Sequence, residues 1–109
     1  APDPACNPYL AFSVMLAAGM EGIEKKYDLP PTIEKNAHSL SLTERRALGI
    51  ESLPGNFWEA IKVTENSPLV RNALGQEVFD SFIENKRIEW EEYSSQISQY
   101  ELDRYLPIL

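Results

Sequence analysis

The stretch Gln76-Glu-Val-Phe-Asp-Ser-Phe-Ile-Glu-Asn-Lys-Arg-Ile-Glu-Trp-Glu-Glu-Tyr-Ser-Ser95 decides the fold class. Phe79, Phe82, Ile83, Lys86, Trp90 and Tyr93 recur at steps of three and four, which gathers them into one stripe of an α-helix. The other faces carry Glu77, Asp80, Glu84, Glu89, Glu91 and Glu92, and the whole stretch sets these six acids against two bases, Lys86 and Arg87. A solvated helix face accounts for that excess better than an acidic binding site.

Working outward, a second long helix is expected from about Pro8 to Tyr27. Asn7 can accept from an orphan backbone N–H, and Pro8 suits the first helical position, where its missing N–H costs nothing. Tyr9 to Met20 is apolar on every face, so that half needs cover all round. Ala11, Ala17, Ala18 and Gly19 allow close neighbours, while Glu21, Glu24, Lys25 and Lys26 make the second half amphipathic. Leu29-Pro30-Pro31 stops the helix, and residues 28–40 read as an irregular surface segment.

Shorter helices follow. Ser41-Leu-Thr-Glu44 has the spacing of a capping box, and Gly49 ends that helix in the left-handed position. Leu53-Pro54-Gly55 is a turn. Asn56 starts a helix that runs to about Glu65, Ser67-Pro68 opens another that Gly75 closes, and Ser98-Gln-Tyr-Glu101 begins a last one ended by Pro107. Alternating runs flanked by hairpin turns are missing from the sequence. The expectation is an all-α chain, a single helical segment over residues 1–109, with two long helices and about four short ones.

Composition narrows the function. The chain has 109 residues and 12.4 kDa, with 43% hydrophobic and 25% charged residues, the balance of a globular rather than a disordered chain. Its formal net charge of −7 repels phosphate backbones, which argues against a nucleic-acid partner. One cysteine, Cys6, cannot close an internal disulfide, and one histidine, His38, excludes a multi-histidine metal site. The uncharged stretch from Pro4 to Met20 has Asp3 rather than a basic residue ahead of it. Its apolar part, 12 residues long, falls short of the roughly 20 that a bilayer needs. A buried core helix is expected there, and no membrane partner. The start Ala1-Pro2-Asp3-Pro4, without methionine, points to a chain processed or cut from something longer.

Chemistry is sparse. The five glycines are scattered and form no phosphate loop. Cys6 and His38 are far apart in sequence, and nothing marks them as a dyad; His38 beside Asn36 and Ser39 reads as exposed. Asp80-Ser81-Phe82 resembles the phosphopantetheine site of acyl carrier proteins, but there the serine opens a helix, whereas Ser81 falls inside one. No catalytic, cofactor-binding or metal residue is assigned.

The start of the chain is specific. Pro2-Asp3-Pro4-Ala5-Cys6-Asn7-Pro8-Tyr9-Leu10-Ala11-Phe12, then Leu16-Ala17-Ala18-Gly19-Met20-Glu21-Gly22-Ile23, closely resembles a segment of type I glutamine synthetase. Four further stretches follow in that family's order. They are Ser52-Leu53-Pro54-Gly55, Ala73-Leu74-Gly75, Phe82-Ile83-Glu84-Asn85-Lys86-Arg87-Ile88-Glu89-Trp90 and Tyr100-Glu101-Leu102-Asp103-Arg104-Tyr105-Leu106. The likeness covers essentially the whole chain.

The resemblance implies the C-terminal helical part of the catalytic domain of a cytoplasmic ATP-dependent glutamate–ammonia ligase. In the family, a strand just before this segment ends in Glu-x-Arg, where the Glu binds a catalytic divalent cation and the Arg contacts glutamate. The parent would use ATP and Mg or Mn, with the ligands upstream and no cofactor in the fragment. The fragment would be inactive alone and would contribute packing and subunit contacts in a double-ring dodecamer. The family's C-terminal helix inserts into a subunit of the opposite ring. Residues 99–109 correspond to it, with Tyr100, Leu102, Tyr105, Leu106, Ile108 and Leu109 as its apolar residues; packing on their own chain is the alternative from the residues alone.

Adenylylated members carry tyrosine in a Lys-Asn-Leu-Tyr-Asp-Leu segment. The stretch Lys35-Asn36-Ala37-His38-Ser39-Leu40 puts His38 at the acceptor position, which implies no adenylylation there. A free-standing helical interaction module is the competing reading of the whole chain. By itself the fragment can cover its first helix with its own short helices or bury it against a second copy; a homo-oligomer, most simply a two-fold homodimer, is expected.

Overall fold

Local signals place nearly every helix start. The computed structural model describes residues 2–34 and 36–109; Ala1 and Lys35, which entered the readings of the chain's start and of the 35–40 stretch, lie outside the described residues. Among the described residues there are six α-helices and no strand: α1 (Pro8–Glu24), α2 (Leu42–Ala47), α3 (Phe57–Glu65), α4 (Pro68–Leu74), α5 (Gln76–Ser94) and α6 (Gln99–Tyr105). Short 3-10 turns span Ala37–Ser39 and Leu106–Ile108. The all-α architecture of two long and four short helices is therefore as the periodicity predicts.

The caps show why these residues form these helices. Asn7 Oδ1 accepts from the backbone N–H of Tyr9 at 3.0 Å, with Pro8 at the first position of α1. In α2 and α6 the capping boxes are complete. Ser41 Oγ accepts from Glu44 N–H while the Glu44 carboxylate accepts from Ser41 N–H at 2.8 Å, and Ser98 and Glu101 repeat the exchange. Asn56 Oδ1 caps α3 through Glu59 N–H at 2.9 Å, and Ser67 Oγ caps α4 through Val70 N–H at 3.3 Å.

One end differs from expectation. α1 stops at Glu24, not near Tyr27. Tyr27 N–H bonds to Gly22 C=O at 3.1 Å and Lys26 N–H to Ile23 C=O at 3.3 Å, a Schellman closure. Lys26 occupies its left-handed position at φ 52°, where glycine would be usual. At the other end of the chain, α6 ends at Tyr105, just ahead of Pro107 as expected, and Pro107 sits inside the 3-10 turn that follows. Gly49 at φ 70° closes α2 as its position suggests, with Ile50 N–H on Arg45 C=O.

α3, α4 and α5 pack together and α1 rests on α4. The core is small: among the described residues, Ile61 of α3 with Phe79 and Ile83 of α5 are the buried ones. Phe82 and Trp90, on the same stripe, are half-buried, and Tyr93 at its end is exposed. Trp90 stacks on Trp58 at 6.3 Å and meets Phe57 edge-on at 6.3 Å, joining α5 to α3. The radius of gyration is 18.5 Å and the extents are 59 × 41 × 23 Å. A compact chain near this length has a radius of about 13 Å.

Candidate functional site

An open groove of about 1160 Å³ lies between the first half of α1 and the faces of α3, α4 and α5. Leu10, Ala11 and Val14 form one wall, Ala60, Ile61 and Thr64 the next, and Val78, Phe82 and Asn85 the third. Asp3, Asn7, Glu77 and Glu89 stand among the lining residues. The walls come from helical spacing: 57, 60, 61 and 64 step by three and four along α3, as do 78, 81, 82 and 85 along α5. With walls this apolar, the groove suits packing against another apolar surface.

α1 has two unlike sides. Ala17 and Glu21 share a small recess with Pro68, Leu69, Asn72 and Ala73, which seats α1 on α4. Tyr9, Phe12, Leu16 and Ile23 lie on the other side, 84%, 67%, 69% and 73% exposed. The expected buried core helix is thus a helix but not a core: no residue of α1 is buried. Burial depends on what faces a helix, and α4 supplies cover along one side only. No helix among the described residues is long and apolar enough to cross a membrane.

The chain's C-terminal helix, α6, packs chiefly on the 3-10 turn that follows it. Tyr100, Leu102, Tyr105, Leu106, Ile108 and Leu109 are all exposed. The Glu101 carboxylate lies below the usual carboxylate range because Ser98 N–H and Oγ–H donate to it, which favours its charged form at the α6 start. Glu44 is held down in the same way by Ser41.

His38 is exposed in the first 3-10 turn, its N–H donating to Asn36 Oδ1 at 3.1 Å. Cys6 is free and exposed at the rim of the groove. Ser81 sits within α5, consistent with its rejection as a carrier site. Among the described residues no three His, Cys, Asp or Glu side chains converge where they could hold a metal ion. Sequence reasoning missed the walls that α3 and α5 give the groove, although the three-and-four spacing of Phe57, Ala60, Ile61 and Thr64 carries the signal. It also missed the anchor between Glu65 and Arg87.

A sequence model of the family "Glutamine synthetase, catalytic domain" matches residues 1–105. The glutamine synthetase of Mycolicibacterium smegmatis is 53% identical over 107 residues, which is 98% of this chain and 24% of that protein. That of Thermus thermophilus is 47% identical over 105 residues, 96% of this chain and 24% of its own length. That of Methanococcus maripaludis is 44% identical over 108 residues, again 24% of its length and 99% of this chain. The chain spans about a quarter of the length of these curated relatives.

Proposed function

The chain belongs to the glutamine synthetase catalytic-domain family, and from that premise we propose that it is the C-terminal, non-catalytic part of a cytoplasmic ATP-dependent glutamate–ammonia ligase. The parent joins ammonia to glutamate with ATP and a divalent cation, Mg or Mn. That chemistry needs cations to neutralise phosphate charge during transfer and groups that deprotonate ammonium. The proposal gives the carboxylates of this chain and His38 no ligand role. This chain's own part is to pack its helices against the rest of the domain and to make contacts between subunits.

The observation that carries this reading is the open shape. A radius of 18.5 Å and, among the described residues, a core of three buried residues support a segment that completes its burial against other chain. The bare side of α1 and the groove offer apolar surface for that contact. The exposed apolar residues of α6 suit insertion into a neighbouring subunit, in a parent built as two stacked six-membered rings. Alone, the chain is inactive and hides the same surface by pairing with a second copy.

Mixing experiments test the proposal. The purified chain is combined with the complementary N-terminal three quarters of the Mycolicibacterium smegmatis relative, and γ-glutamyl transfer is measured. Transfer is expected from the mixture and from neither part. Activity of the chain alone above a mock preparation overturns its non-catalytic role. Failure of the two parts to co-sediment overturns the packing role and favours a free-standing interaction module.

A further inference from the structure

No further inference is drawn: the strongest candidate, the bare apolar side of α1 formed by Tyr9, Phe12, Leu16 and Ile23 beside the open groove, carries nothing beyond the packing and self-association already proposed, because nothing in the structure shows what covers it.

Discussion

Arg87 on α5 holds the carboxylate of Glu65, the last residue of α3, across 22 positions of sequence. The Glu65 carbonyl also accepts from Arg71 of α4 at 3.4 Å, so one helix end is tied to both neighbours. Arg71 in turn lies over the Phe79 ring, 4.6 Å from its centroid, which covers the core with a cation.

The Arg87–Glu65 pair should show itself in the acid dependence of stability. The hydrogen bond from Arg87 is the main cause that lowers the Glu65 pKa from its ordinary 4.5. A folded pKa below the unfolded one adds stability above the unfolded value and loses it as pH falls through the folded value. Arg87→Met should therefore melt below the parent chain at pH 7, with the gap closing as the pH drops below about 4.5. Thermal melts from pH 7 to pH 2.5 check this; a gap that stays constant contradicts it.

Lys26→Gly should stabilise α1. A residue with a Cβ in the left-handed region costs roughly 1–2 kcal/mol, and glycine returns part of that through its larger unfolded-state entropy. The expected net gain is about 0.5–1 kcal/mol, read as a higher urea midpoint with unchanged slope. Gly49→Ala should move the midpoint the other way, because Gly49 occupies the matching position of α2 at φ 70°.

Self-association should follow from the uncovered side of α1. At ~25 cal/mol per Å², a few hundred Å² of apolar surface left in water costs about 5–10 kcal/mol. Domain stability as a whole is about 5–15 kcal/mol. Sedimentation equilibrium at micromolar concentration should give a species heavier than one chain, most simply a two-fold dimer. Phe12→Glu with Leu16→Glu should shift it toward monomer. A 12.4 kDa monomer that binds no hydrophobic dye overturns the prediction.

In the full-length ligase proposed above, an adenylyltransferase should leave residue 38 unmodified. The exposed His38 side chain is an imidazole and carries no phenolic oxygen. Mass spectrometry should find no AMP on residues 28–40, and His38→Tyr supplies the acceptor as a control. AMP on the parent in this stretch refutes the claim.

What could be read from the sequence follows the range of the forces involved. Ser41, Asn56, Ser67 and Ser98 announce their helices because a cap acts within three residues, inside a span that local sequence determines. The stripe on α5 was legible for the same reason, and its two most deeply placed members, Phe79 and Ile83, are buried. The end of α1 was not legible, because Lys26 does a glycine's work and gives no compositional sign. The exposure of Tyr9 and Phe12 was not legible either, since hydropathy reports a need for cover and not its supply. Nor could spacing single out Arg87 as the partner of Glu65, when Lys62 on Glu65's own helix is a competing cation at 3.5 Å.

Gly75 is at once the last cap of α4 and the first of α5, at φ 79° and ψ 154°, a conformation open essentially to glycine alone. The two helices thus meet with no slack residue between them, and the angular phase of one is locked to the other. A helix turns by about 100° per residue. A single insertion between Arg71 and Phe79 would therefore swing the α5 stripe more than a quarter turn, carrying Phe79 from beneath Arg71 and Ile83 out of the core. At this elbow a change of length is more damaging than most changes of side chain. Insertions and deletions that a surface loop absorbs would here be transmitted along all 19 residues of α5.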